Sequence, residues 1–292
     1  MDDGIAENHN DGRIPIGKGL AVALSALLFW LAAGGSLAAW LAGFSGTEGP
    51  PLLSFALSEA TVFVPFLCMA LGLWLSLRYI AFVPLRRFFT DAPSFRFGRT
   101  LKATAVTLLC YGAYEAIGYL RTPEAYRISD QIFWGLRIFA CFASLILIPI
   151  QAGCEEALFR CLPARVAYGR LPKTMSGRLG LSAVSSILFV LPHLGNPEVF
   201  ASGTPWAVIA YYAIFGFMSM ELSVSTGGFE TVLGIHTANN LFVAVVCGYP
   251  QSPLPGFPLL IKTYAIEGWS SSVQLAATFM IVRLVMRKPS SE

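Results

Sequence analysis

The sequence predicts an all-α protein, a polytopic transmembrane helical bundle of about eight spans. Of its 292 residues, 55% are hydrophobic and only 13% charged, with a mean hydropathy of +0.63. Soluble domains carry about 25% charged residues, so this composition belongs in lipid. Apolar runs recur near 19–44, 55–77, 102–120, 132–159, 179–194, 205–222, 229–248 and 268–286. About twenty residues is the length at which a helix crosses a hydrocarbon core. Continuous apolar runs, rather than strict alternation, select helices over a closed barrel.

Residues 1–18 form a polar tail, and the apolar run after Lys18 continues to Phe44 without a clear cleavage site. A removable signal segment has an apolar core of about 7 to 15 residues, so the first run is expected to remain as a span. Residues 19–129 hold the N-terminal transmembrane helices, 130–250 the polar-bearing core, and 251–292 the last helix with the C-terminus.

Lys and Arg are unevenly spread. With a cytoplasmic N-terminus, sixteen of the twenty fall on the inner side, and only Arg121, Arg127, Arg137 and Lys262 fall outside. That is the positive-inside asymmetry, and it puts both termini in the cytoplasm, as in a multi-pass protein of a bacterial inner membrane. The connection 78–101 mixes Phe82, Phe88, Phe89, Phe95 and Phe97 with arginines, a pattern suited to the headgroup plane. A net charge of +3 indicates no nucleic-acid partner. There is no room for a separate soluble domain, and no internal repeat is visible.

The informative residues are those that lipid should exclude, because a charge at the bilayer centre costs roughly 2.5 to 3.5 kcal/mol on insertion scales. Glu155 and Glu156 sit side by side in QAGCEEALFRCLP. On a helix Glu156 and Arg160 share a face and can neutralise each other. Glu155 points about 100° away without a local partner, which suits a general base. The alternative is a salt-bridged helix end with Glu155 reaching water.

His9 lies in the polar tail, while His193, four after Phe189, and His236, four before Asn240, lie in apolar surroundings. A lone histidine there is usually a hydrogen-bonded core residue; two beside an acidic pair shift the reading toward a site. His236 and Asn240 share one helix face, a pairing able to hold a developing oxyanion. Phe189 is expected to form a wall that binds substrate. Pro192 should loosen the end of its helix, and Gly195-Asn196-Pro197 should stop it.

Glu-Glu-x-x-x-Arg (155–160), Phe-x-x-x-His (189–193) and His-x-x-x-Asn (236–240), in this order on separate spans, resemble the CPBP family. That family, also called the Abi or CAAX-protease and bacteriocin-processing family, includes the Rce1-type CAAX prenyl endopeptidases. The resemblance covers about residues 130–250 and implies an intramembrane endopeptidase with its site in a cavity reached from the cytoplasm. It implies that Glu155 with His193 activates water, that Glu156 and Arg160 support them, and that His236 with Asn240 stabilises the oxyanion. Its partners would be membrane lipids and a membrane-associated protein or peptide, prenylated or bacteriocin-like. Cys161 departs from the family's frequent Gly at that position.

No cofactor is expected. The competing possibility is Zn²⁺, since one carboxylate and two imidazoles could bind it with an open fourth position. There is no His-Glu-x-x-His pair. Two other functional readings stand beside the protease: a proton-coupled transporter, for which intramembrane Glu and His are also suited, and a non-catalytic membrane scaffold. The six cysteines are expected to pack as small hydrophobes. Glu59, Glu115, Glu221 and Glu267 are expected to be structural, satisfied by water or Arg137. One inconsistency is depth: span limits place Glu155 about 10 Å and His193 about 20 Å from the cytoplasmic side, at about 1.5 Å per residue.

Overall fold

The computed structural model of the protein describes residues 12–44, 50–129, 134–167, 174–263 and 268–286. Eight helices fall on the eight expected apolar stretches: α1 (Ile16–Ala42), α2 (Pro51–Ala81), α3 (Phe97–Arg121), α4 (Trp134–Ala167), α5 (Met175–His193), α6 (Pro205–Thr226), α7 (Glu230–Leu241, continued by the π turn Phe242–Val246) and α8 (Gly268–Met286). Among the described residues, six are long and apolar enough to cross a membrane. The other two explain themselves: α3 carries Arg99, Lys102, Glu115 and Arg121, and α7 is short and holds Glu230, His236, Asn239 and Asn240. The protein is an integral membrane protein. His9, Arg170, Lys173, Glu267, Arg287 and Lys288 lie outside the described residues.

Polarity is arranged inside out. Leu20, Leu24, Leu28 and Leu31 form an outward stripe on α1 at helical spacing, while Glu156, Arg160, Ser182, Ser185 and Ser219 are completely buried. Lipid requires this, because a polar side chain on the outer face would have no partner. Close helix contact comes from small residues. An added Cβ on Gly216 would lie 2.7 Å from Ser186 Cα, joining α5 to α6, and one on Gly234 would lie 2.4 Å from the Thr100 carbonyl oxygen, joining α3 to α7.

At one end of the bundle the chain gathers its arginines. Arg165 closes α4 by donating to the Phe88 carbonyl at 3.1 Å and pairing with Asp91 at 2.5 Å. The backbone N–H of Ile14 donates to the Arg165 carbonyl, which brings the start of α1 to the same place. The connection before α3 forms a five-residue helix, Leu85–Phe89. Its aromatic residues divide: Phe88 is fully buried, while Phe82 and Phe97 face outward. At the opposite end three short strands, β1 (Tyr126–Ile128), β2 (Cys247–Gly248) and β3 (Leu260–Lys262), lie in the order β1-β3-β2, with β3 antiparallel to β1 and parallel to β2.

Gly234→Leu should therefore drive α3 from α7. Overpacking of this kind costs on the order of 1–3 kcal/mol, so the thermal midpoint of the purified protein should fall clearly. Gly17→Ala, at an exposed α1 position with nothing near its added Cβ, should leave that midpoint unchanged or slightly raised.

Candidate active site

Three helices bring the site together. On α4, Glu155 and Glu156 are followed at once by a π turn, Ala157–Cys161, within which the Phe159 carbonyl accepts the Ser185 hydroxyl of α5 at 2.9 Å. Wide turns of this kind recur at functional sites. α5 delivers His193 from its last residue and α7 delivers His236 and Asn240. Glu155 and His193 meet at 3.9 Å despite that counted difference in depth, and α4 does not end near 159 but runs on to Ala167, which carries Glu155 further from the helix end. Arg160 accordingly lies in the core, not at the cytoplasmic interface where charge counting had put it.

Glu155 Oε2 lies 3.9 Å from His193 Nε2 and 3.5 Å from His236 Nε2. It has no hydrogen-bond partner among the described residues. The ring tautomers follow from the other nitrogens. His193 Nδ1 is 2.6 Å from the Phe189 carbonyl, an obligate acceptor, so Nδ1 carries the proton and a neutral ring turns a lone pair toward Glu155. His236 Nδ1 is 2.7 Å from Glu156 Oε1 and donates to it. His236 Nε2 can then donate only from the imidazolium form.

Glu156 also pairs with Arg160, Nη1 to Oε1 at 3.3 Å, both side chains being wholly buried. This is an ion pair without hydrogen-bond alignment, since all three guanidinium nitrogens lack a hydrogen-bond partner among the described residues. Aromatic faces hold the cation instead: its carbon lies 3.7 Å from the Phe189 ring centre and 5.5 Å from that of Phe215. Phe189 is 2% exposed and adjoins the cavity while packing on Arg160, His193 and Phe215.

Asn240 sits on the same helix face as His236, but its amide is engaged by a residue the sequence reading passed over. Gln151, one turn before Glu155, donates Nε2 to Glu155 Oε1 at 2.5 Å and accepts Asn240 Nδ2 at 2.8 Å. Asn239 donates to Asn240 Oδ1 at 2.9 Å and accepts the hydroxyls of Tyr111 and Tyr211 at 2.9 and 2.6 Å. Glu155 is thus not without a local partner. The signal was a polar amide four residues upstream on the same face.

A cavity of about 270 Å³ adjoins these groups. Trp30, Val62 and Phe66 give it one apolar wall, and Glu198, Tyr212 and Tyr249 a polar one. Glu198, also missed from sequence, lies in the five-residue helix Pro197–Ala201, and both its oxygens accept tyrosine hydroxyls, from Tyr212 and Tyr249. Burial pushes its carboxyl above the ordinary range and those hydroxyls pull it back. Tyr212 packs against His193 with tilted rings, centres 4.2 Å apart. The cavity continues toward Lys262 and Gln274, the end opposite the arginine-rich one.

The remaining acids separate. Glu115 pairs with Lys262 at 2.6 Å and accepts Tyr126, and Glu221 is shared by Arg178 and Arg283. Glu59 is buried with both oxygens unpartnered among the described residues, so Arg137 does not satisfy it. All six cysteines are free; Cys161 is buried in the core, away from the cavity. Among the described residues no group of three or more His, Cys, Asp and Glu has metal-site spacing.

Removing one member of a buried ion pair leaves the other uncompensated, at about 3–5 kcal/mol. Arg160→Met should therefore lower the amount of folded protein recovered in detergent, and the double variant Glu156→Gln/Arg160→Met should recover more than the single one.

Comparisons with known proteins bear on the family. The family description "Type II CAAX prenyl endopeptidase Rce1-like" matches residues 134–242. A Bacillus subtilis (strain 168) protein, described as uncharacterized protein YyaK, is 33% identical over 248 residues, covering 81% of this chain and 80% of that protein. No solved structure matches. By these matches the chain belongs to the Rce1-like family of type II CAAX prenyl endopeptidases, and it places Glu155 and both site histidines around one cavity.

Proposed function

We propose that the protein is an intramembrane endopeptidase that hydrolyses a peptide bond of a membrane-associated substrate, prenylated or bacteriocin-like, using water activated by Glu155 and His193. The observation that carries this is the meeting of Glu155 Oε2 with the Nε2 atoms of His193 and His236, at 3.9 and 3.5 Å, beside a cavity. Two acceptors facing each other at such a distance are joined by a molecule with two hydrogens to give. A water held between Glu155 and neutral His193 loses a proton to the carboxylate as its oxygen attacks the carbonyl carbon.

Negative charge then develops on the carbonyl oxygen. His236, when imidazolium, and the second amide hydrogen of Asn240 are the donors available to it. Glu156 holds His236 in register through Nδ1, and Arg160 holds Glu156. The proton taken by Glu155 passes to the departing amine. No step requires a metal, and the protein's own setting is the bacterial inner membrane with both termini cytoplasmic.

Glu155→Gln keeps the shape and removes the base, so cleavage of a membrane-peptide substrate in proteoliposomes should fall by roughly 10²- to 10⁴-fold with the thermal midpoint retained. Unchanged cleavage in this variant and in His193→Ala would sink the reading. Metal-chelated protein should keep its rate. Gln151→Leu, which deletes a hydrogen bond to a charged group, should lower kcat roughly tenfold or more while leaving KM near the parent value.

A further inference from the structure

A second cavity, of about 430 Å³, lies at the arginine-rich end. It is bounded by the start of α3 and the ends of α6 and α8, where Arg96, Arg99 and Arg283 meet Leu222 and Met286. It shares no residue with the cavity beside Glu155.

Its charge is unbalanced. Arg96 is committed: Nε and Nη2 each lie 2.8 Å from Glu230, and its other donors reach the Thr226 and Gly227 carbonyls. Arg283 shares the single carboxylate of Glu221 with Arg178. Arg99 has no carboxylate partner among the described residues, and its buried Nε has no hydrogen-bond partner there. Lys102, one turn along α3, adds another cation near the end of α8, its Nζ 3.3 Å from the Val285 carbonyl. An unpaired guanidinium beside a cavity calls for an anion, and its planar fork matches two oxygens of a phosphate.

We propose that this cavity binds the phosphate of an anionic phospholipid, with Arg99 as the main ligand and Arg283 beside it. The lipid source, rather than a free anion, follows from the surroundings. Leu222 and Met286 make one side apolar, and Met280, Ile281 and Leu284 on α8 are exposed along the adjoining outer surface, a track for acyl chains. The cavity lies at helix ends, at headgroup depth, on the side that the arginine distribution assigns to the anionic leaflet. A bound phosphate ties α3 to α6 and α8 next to Glu230, the first residue of α7. The proposal stands apart from the proteolytic reading.

The test uses the purified full-length protein in neutral detergent, titrated with phosphatidylglycerol, phosphatidylcholine and inorganic phosphate while thermal midpoints are read. Phosphatidylglycerol should raise the midpoint, and phosphatidylcholine should not. Arg99→Gln should weaken the phosphatidylglycerol response about fivefold in apparent affinity. If that variant does not fold, Ser225→Glu, which places a carboxylate on the rim, should do the same. A phosphatidylglycerol response equal in parent and variant overturns the site. A response reproduced by inorganic phosphate alone overturns the lipid assignment.

Discussion

A carboxylate and a guanidinium fully removed from water, Glu156 and Arg160, set the arrangement of the bundle. Neither is tolerable alone in such a place, and their mutual attraction at 3.3 Å, without hydrogen-bond alignment, does not discharge the desolvation of both. The deficit is met by neighbours from other helices. Phe189 of α5 and Phe215 of α6 cover the cation, and His236 of α7 donates to the anion. One ion pair on α4 thus fixes the relative positions of three further helices. Glu155 inherits its place from the backbone: the next residue back on the same helix, turned about 100°, faces the cavity and both Nε2 atoms.

The amides beside Glu155 form a chain with a single direction. A carboxylate can only accept, so Gln151 must turn its NH₂ toward Glu155 and its carbonyl toward Asn240. Asn240 must then offer its NH₂ to Gln151 and accept from Asn239, whose own oxygen receives two tyrosine hydroxyls. No amide in the series can flip without setting acceptor against acceptor. Asn240 thereby keeps one amide hydrogen for Gln151 and one for whatever lies beside His236. Orientation is supplied by hydrogen bonds that run from α3 and α6 through α7 to α4, so the site depends on helices that contribute no reacting group.

Much of this was legible in the chain. The helices are visible because lipid forces apolar residues outward, six of them long and apolar enough to cross a membrane among the described residues, and Glu155, Glu156, His193, His236 and Asn240 stand out because lipid makes unpaired polarity costly. Span limits were less legible. Arg160 looked like part of a cytoplasmic boundary, yet it is buried between aromatic rings, and the helix ends only beyond Arg165, which Asp91 and the Phe88 carbonyl hold. Hydropathy cannot register partners that arrive from distant sequence. The same holds for Glu198, whose tyrosine partners are Tyr212 and Tyr249, and for Glu230, whose partner Arg96 is 134 residues away. Gln151 was the nearest miss, since its spacing from Glu155 was readable and only its second bond, to Asn240, needed the fold.

The two ends of the bundle differ in kind. At the arginine-rich end, Arg165 with Asp91 and Arg96 with Glu230 bind connections to helices, and Arg178 with Glu221 ties α5 to α6. At the other end, Glu115, Lys262 and Tyr126 pin the small sheet, and the cavity reaches past it from Glu155. Its lining is mixed: Trp30, Val62 and Phe66 are apolar, Glu198 and Tyr249 polar. An extended peptide alternates its side chains between two faces, so under the proposed endopeptidase reading a mixed lining of this kind would favour a segment by which of its residues are apolar. On that reading Glu155 supplies the chemistry, and the lining around it governs which bond is brought to it.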